Sequence, residues 1–441
     1  MKNIPVSIHV LDSISSEMRL SLLERTESDI GRYFAEVELI VEEVRLRGDA
    51  ALVEFAARFD DAVLKVEDLK VSAEEFENAI ASLTAELKTS LQFAAENIER
   101  FHGRQMPDSL SLHETHPGII VGDRWTPIDS VACYIPRGKG SFPSSVLMTA
   151  IPARVAGTAR VIIITPPGAD GSVDAATLFA ARLSGITEVY KCGGAQAIAA
   201  VAYGTSTVPK CRKVVGPGSP WVVAAKKLLS SVIDPGSPAG PSELIVFSDG
   251  TVSPEIVALD LCVESEHGPD SSVFLVTTDA EFAQRVASCL PDMWARMSES
   301  RAHYSKTVLS GTKGGIVIAA SMSEAFAFIN DYAPEHLAVL AQDSWKYLQH
   351  IKHAGEILLG PYTAIALANY VLGPSHVLPT GGAAATASPI SVFDFMKRSS
   401  VASVTAEGYA KFAKNAENIA RYEGFDAHAN SVSRLRRDII N

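Results

Sequence analysis

Glu188-Val189-Tyr190-Lys191-Cys192-Gly193-Gly194-Ala195-Gln196-Ala197-Ile198-Ala199-Ala200-Val201-Ala202-Tyr203 reads as a short strand, a glycine turn and an alanine-rich helix. The same alternation surrounds it. Residues 131–135 precede a helix from about 144, residues 160–165 one from about 175, and residues 213–215 one over 221–229. Strands that recur with helices between them need crossover connections, hence a parallel sheet covered by helices. Pro235-Gly236-Ser237-Pro238-Ala239-Gly240-Pro241 then breaks the chain. Beyond it the pattern resumes with strand candidates at 244–247, 273–277, 315–320, 337–340 and 356–359.

The fold expected is α/β, with two incomplete Rossmann-like parallel-sheet domains, an N-terminal helical segment and a C-terminal helical tail. The helical segment covers residues 1–127 and is expected to pack with the second sheet domain; Ile30, Phe34, Val37, Ile40 and Val41, and later Phe76, Ala79 and Ile80, recur in it at helical spacing. The two sheet domains cover 128–240 and 241–385, and the charged tail 386–441.

With 441 residues, 47% hydrophobic and 20% charged, the chain has the composition of a soluble globular protein of two or three domains. A net charge of −12 with no basic run argues against a nucleic-acid surface. Met1-Lys2-Asn3-Ile4-Pro5-Val6 has no apolar core of a secretory signal, and no stretch is long enough to span a bilayer. Cys133, Cys192, Cys211, Cys262 and Cys289 are scattered and lack a CxxC, which fits reduced thiols and a cytoplasmic location.

Ala333-Pro334-Glu335-His336-Leu337 holds the sharpest chemical signal. Pro334 suits the first turn of a helix. Glu335 and His336 would then be neighbours in that turn, where the helix dipole favours a carboxylate and disfavours a protonated imidazole. Such a pair suits general acid/base work; a capped helix start with a wet Glu-His pair is the plainer reading. Glu264 and His267 are three residues apart on a helical stretch, a spacing that can hold a metal or simply line a wet face. Asn369 with His376, and Glu423 with His428, are further polar pairs that spacing alone does not join. Gly138-Lys139-Gly140-Ser141 and Gly216-Pro217-Gly218-Ser219 are turns able to approach a phosphate, or ordinary strand-to-helix turns.

Nine stretches in order resemble the histidinol dehydrogenase family. They begin with Tyr134-Ile135-Pro136, Pro143-Ser144-Ser145-Val146-Leu147-Met148 and Gly193-Gly194-Ala195-Gln196-Ala197-Ile198-Ala199. Val215-Gly216-Pro217-Gly218, Pro238-Ala239-Gly240-Pro241-Ser242-Glu243 and Glu266-His267-Gly268-Pro269-Asp270-Ser271 follow. The pentapeptide at 333–337, Gly373-Pro374-Ser375-His376-Val377-Leu378-Pro379-Thr380-Gly381-Gly382 and Asp426-Ala427-His428 complete the series.

The resemblance implies a homodimeric, zinc-dependent, NAD-linked oxidation of an amino alcohol to an amino acid through a bound aldehyde. The tail of one subunit would complete the other's site. It implies Glu335 and His336 as the acid/base pair and Ser242, His376 and Glu423 as substrate contacts. Tyr134, Gln196 and Ser219 fall on NAD-contacting positions, and Glu264, His267, Asn369 and His428 on the metal positions.

The chain departs from the family at four places. Where the family usually has Gln and then Asp as metal ligands, this chain has Glu264 and Asn369, an exchange of carboxylate and carboxamide that keeps the total charge. Arg137 stands for a glycine, and Ser219 for an asparagine that touches NAD. The reaction expected is oxidation of L-histidinol to L-histidine by two NAD, the last step of histidine biosynthesis. The same chemistry on another primary alcohol, such as a sulfonated propanediol, is the alternative, and a non-catalytic zinc- or nucleotide-binding relative is the third reading.

Overall fold

A parallel strand buried on both faces has to carry a near-continuous apolar run, and four consecutive members of one sheet do so from a polar or glycine start. The protein is described from a computed structural model that covers residues 6–137 and 140–440. Met1–Pro5 of the chain start and Gly138-Lys139 of the first glycine turn lie outside the described residues. In chain order the strands are β1 (Ile8–Val10), β2 (Leu110–His116), β3 (Ile119–Pro127), β4 (Ser130–Tyr134), β5 (Arg160–Thr165), β6 (Val189–Lys191) and β7 (Lys213–Val215). They continue with β8 (Glu243–Ser248), β9 (Ser272–Thr277), β10 (Gly314–Ile318), β11 (His336–Leu340), β12 (Glu356–Leu359) and β13 (Met396–Val404).

Two parallel sheets result, as the strand–helix alternation predicts. One has the order β6-β5-β4-β7, the other β1-β10-β9-β8-β11-β12. Strands β8, β9, β10 and β11 are buried at every residue. Side-chain alternation divides their apolar residues between two cores. Leu244, Val246, Ala338 and Leu340 pack on one face with helix Pro254–Ser265; Ile245, Phe247, Leu337 and Val339 pack on the other with helix Met322–Tyr332. Around the four-stranded sheet, Val37, Val41 and Val44 of helix Phe34–Arg47 join Ala197, Ile198 and Val201 in a third core, so this helix packs with the first sheet domain and not, as expected, with the second; β1, Leu11 and Leu22 of the N-terminal segment do join the six-stranded sheet and its core.

The chain falls into two compact units, Met1–Gln105 with Ile128–Phe395, and Met106–Pro127 with Met396–Asn441. The second unit holds an antiparallel sheet, β13-β3-β2, and the helices Ala406–Tyr422, Asp426–Ser431 and Arg434–Ile440. The tail is therefore helical only after β13. This sheet and β1 escape the sequence reading for a physical reason. β2 buries none of its residues, and β13 none of its nine, so neither carries the apolar run that marks a buried strand.

The pentapeptide also differs from expectation. Helix Met322–Tyr332 ends before it, closed by Ala333 in the left-handed region at φ +49°. Pro334 follows, and Glu335 and His336 lead into β11. A proline just after a left-handed cap ends a helix as readily as one in the first turn begins it. The apolar Leu337–Leu340 run resolves that ambiguity in favour of a strand.

Gly216 follows β7 at φ +111°, and a Cβ there would come within 2.1 Å of the Tyr134 carbonyl oxygen. Gly382 has φ +76° but nothing within 4 Å of its Cβ position. Gly216→Ala is expected to lower stability more than Gly382→Ala, the difference being about 1–3 kcal/mol. Chemical denaturation of the two variants checks it; equal losses would mean that Gly216 answers only to backbone conformation.

Candidate active site

Three acidic or basic residues stand at the entry ends of neighbouring strands: Glu243 opens β8, His336 opens β11 and Glu356 opens β12. His336 pairs in register with Glu356 on one side and with Leu244 on the other. Glu335 precedes His336, and the backbone of Glu243 holds both. Its N–H donates to Glu335 Oε2 at 2.8 Å, and its carbonyl oxygen faces His336 Nδ1 at 3.3 Å. The Glu243 carboxylate is itself anchored, with Oε1 3.0 Å from Arg25 Nε and accepting the Gly381 N–H at 2.8 Å. The Arg25 guanidinium lies 3.3 Å from the Tyr332 ring centroid and also donates to the Tyr332 carbonyl.

Glu335 Oε2 is 3.6 Å from His336 Nδ1. Burial pushes the Glu335 carboxyl above its usual range, with the His336 ring pulling the other way. Burial also opposes a charge on His336, but the carboxylates of Glu335 and Glu264 prevail and hold its pKa up at about 10. The expectation of a ring that resists protonation is thus reversed, because carboxylates take the place that a helix N-terminus was expected to fill. His336 Nε2 has no hydrogen-bond partner, and Glu356 Oε2 lies 4.0 Å from it.

Beside this pair stand three of the four proposed metal positions. Glu264, at the end of helix Pro254–Ser265, accepts a 2.8 Å hydrogen bond from Asn369 Nδ2, and its other oxygen is 3.6 Å from His267 Nε2. Ser242 Oγ lies 3.2 Å from His267 Nδ1, which fixes the ring and turns Nε2 toward Glu264. Asn369 Oδ1 is buried with no hydrogen-bond partner. A buried amide oxygen without a donor is out of place unless a cation or another ligand meets it. Burial opposes the Glu264 charge, yet His267 and His336 hold its pKa down. These donors fit a zinc ion: one carboxylate, one imidazole and one amide oxygen. Among the described residues no three His, Cys, Asp or Glu side chains form a ready metal cluster, because the third donor here is an amide. His428 and Glu423 belong to the second unit.

His376 is locked at both nitrogens. Nδ1 donates to the Asn369 carbonyl at 2.6 Å and Nε2 accepts from Ser145 Oγ at 3.1 Å. Burial lowers its pKa to about 4, so the ring is neutral. Sequence reasoning gave Ser145 no role, although it sits in a motif that carries the resemblance.

The proposed cofactor residues gather at the exit ends of the four-stranded sheet. Tyr134 ends β4, and its hydroxyl accepts the Gly194 N–H at 3.1 Å. Gln196 is buried in the helix that begins at Gly194. Ser219 caps helix Pro220–Leu228 without a side-chain capping bond, so its hydroxyl is free of that duty. Arg137 is exposed and lies against Gly168, where an added Cβ would come within 2.4 Å of its guanidinium.

Known proteins resemble this chain along nearly its whole length. Residues 23–436 match the family model described as histidinol dehydrogenase. A Colwellia psychrerythraea protein named "Histidinol dehydrogenase homolog" is 54% identical, over 99% of this chain and 98% of its own. A Synechocystis protein named "Histidinol dehydrogenase" is 44% identical, over 98% of this chain and 99% of its own. The crystal structure of histidinol dehydrogenase from Elizabethkingia anophelis covers 99% of each chain with a TM-score of 0.92 at 33% identity.

Asp60 yields a test of the electrostatics near Tyr134. Burial pushes its carboxyl from 3.8 up to about 6, with Arg137 pulling the other way. Between those values the folded chain binds more protons than the unfolded one, so stability falls as pH rises through that window. Asp60→Asn is expected to exceed the parent in stability at pH 7, with the difference shrinking as the pH is lowered through the same window. Urea denaturation across that range measures it, and identical stabilities at pH 7 would refute it.

Proposed function

The chain belongs to the histidinol dehydrogenase family, and we propose from that premise that it oxidises L-histidinol to L-histidine in two NAD-linked steps with zinc. Histidine biosynthesis is the process it would serve. The observation that carries the reading is the buried group formed by Glu335, His336, Glu264 and Asn369, with the partly exposed His267 beside it and the Asn369 oxygen lacking a donor. Zinc bound to Glu264, His267, Asn369 and His428 would supply Lewis-acid polarisation of the substrate oxygen.

Because His336 Nδ1 is committed to the Glu243 carbonyl, Nε2 is the nitrogen that takes the alcohol proton as hydride leaves for NAD. A cation held by Glu264 would weaken one of the carboxylate fields that keep the ring protonated, in the direction burial already favours, while the larger field of Glu335 remains. Glu335, a buried carboxyl with a raised pKa, takes a proton from water at the aldehyde stage. Ser242 steadies His267, while His376 and Glu423 contact the substrate. Tyr134, Gln196 and Ser219 contact NAD. The strand order supports this: β4 lies between β5 and β7, the point where the connections reverse direction and a crevice opens at the exit ends.

A homodimer follows from the same reading, with Glu423 and His428 of one subunit completing the site of the other. Exposed Tyr422, Phe425, Leu435 and Ile439 in the second unit support a partner surface. The described residues hold no helix long and apolar enough to cross a membrane. The five free cysteines support a cytoplasmic location.

A second reading keeps the chemistry and changes the alcohol, to a sulfonated propanediol for example. Two observations favour it. Glu264 and Asn369 stand in exchanged roles, and relatives named "homolog" are 50–54% identical where those named histidinol dehydrogenase are 40–44% identical.

Counting NADH against L-histidinol consumed decides between them. Two NADH per substrate is expected, and no turnover by zinc-loaded protein would select the second reading. With the true substrate, His336→Ala should slow the first hydride transfer by about 10²–10⁴-fold while zinc content is unchanged. Glu335→Gln should slow aldehyde oxidation more than alcohol oxidation; equal losses would remove water activation from Glu335. Glu264→Gln with Asn369→Asp should retain zinc better than either single change, as mass spectrometry or a metal assay would read. Equal binding by all three would show that charge balance does not govern the site.

A further inference from the structure

Glu356 has no part in the chemistry above, yet it is buried against it. Its side chain is 10% exposed, on the edge strand β12, in register with His336. The pairing is fixed by backbone bonds: Gly355 N–H donates to the Pro334 carbonyl and Glu356 N–H to the Glu335 carbonyl, each at 2.9 Å. In-register residues of adjacent parallel strands point to the same face, so Glu356 and His336 share one side of the sheet. Glu356 Oε2 has no hydrogen-bond partner, and neither has His336 Nε2, 4.0 Å away. That separation is too long for a hydrogen bond between them.

An ionised carboxylate only accepts hydrogen bonds, and burying one without a donor is costly. A bound molecule with a hydrogen-bond donor would meet that need. If His336 Nε2 receives the alcohol oxygen, the acceptor at Glu356 lies one substituent further along the same small molecule. Hydrogen bonds of about 2.8 Å from two adjacent heteroatoms, one to each residue, span this gap.

We propose that Glu356 is a specificity residue that accepts a hydrogen bond from an amino or hydroxyl group on the carbon next to the reacting primary alcohol. The substrate class is thereby a vicinal amino alcohol or diol. The proposal rests on the function proposed above. Burial raises the Glu356 carboxyl, the direction expected of an acid awaiting its donor. Once the donor is bound, the charged form is favoured.

The test uses the zinc-loaded full-length enzyme and pairs of alcohols that differ only in the neighbouring donor. One pair is L-histidinol and 3-(imidazol-4-yl)propan-1-ol; the other is 2,3-dihydroxypropane-1-sulfonate and 3-hydroxypropane-1-sulfonate. For the pair whose donor-bearing member is oxidised, Glu356→Ala is expected to lower kcat/KM by about ten- to a hundredfold, as for a lost hydrogen bond to a charged group. The loss on the donor-free analogue should be several times smaller. Glu356→Gln, which keeps one acceptor oxygen and the side-chain volume, should recover part of the difference. Melting temperature and zinc content establish that each variant is folded and loaded. Equal losses on both members of a pair would overturn the proposal and assign Glu356 to a bridging water. Turnover of neither donor-bearing alcohol by the parent enzyme would defeat the functional reading itself, and the Glu356 assignment with it. Which pair responds tells an amino donor from a hydroxyl donor.

Discussion

Burying carboxylates is the constraint around which this protein is arranged. Glu243, Glu264 and Glu335 are all withdrawn from water at one end of the six-stranded sheet, and each ionised form there needs donors or cations. Glu243 meets Arg25 and the Gly381 N–H, and that anchored residue offers its own backbone N–H and carbonyl to Glu335 and His336. Glu335 and His336 are thus positioned by main-chain atoms of a strand, which have little freedom to drift. Glu264 draws on Asn369 and two imidazoles instead. Taking away any one of these partners would leave a charge stranded in a poorly solvated place, so folding and chemistry share the same contacts.

Parallel topology supplies the rest of the geometry. β11 and β12 start level with one another and β8 starts one residue earlier, and residues far apart in the chain therefore arrive side by side. The exit ends of the four-stranded sheet present Tyr134 and the Gly216 turn in the same manner. His376, held between Asn369 on one side and Ser145 on the other, ties the helix Pro143–Val155 to the segment that carries Asn369. A substrate that makes contact with His376 Nε2 has to take the place of the Ser145 hydroxyl.

The parallel sheets were legible because their strands hold short, uninterrupted apolar runs, such as Leu244–Phe247 of β8, Val273–Val276 of β9 and Leu337–Leu340 of β11. The antiparallel sheet was not: Leu110-Ser111-Leu112-His113-Glu114 alternates weakly and buries nothing, so it looks like any exposed segment. Pro334 misled for a different reason. Its conformational preference is shared by helix starts and by the residues just past a helix end, and only the left-handed Ala333 distinguishes them. The same misreading extends to His336, whose electrostatic surroundings come from its neighbour Glu335 and from Glu264 and Glu356, which only tertiary structure brings to it. Motif resemblance could name Glu264 and Asn369 as a pair, but not that they are hydrogen-bonded to each other. It was silent on Glu356, whose position matters only once β12 is seen to run beside β11.

The location of β12 has an evolutionary consequence. An interior strand such as β8 has neighbours on both sides, so a change at its first residue disturbs two interfaces. β12 closes the sheet and has one strand neighbour, β11. The opening residue of such a strand can vary in size and charge while the centre of the sheet stays packed. If Glu356 reads the substrate as proposed, a lineage could change which alcohols it accepts at position 356 and leave Glu335 and His336 as they are, separating the drift of specificity from the conservation of chemistry.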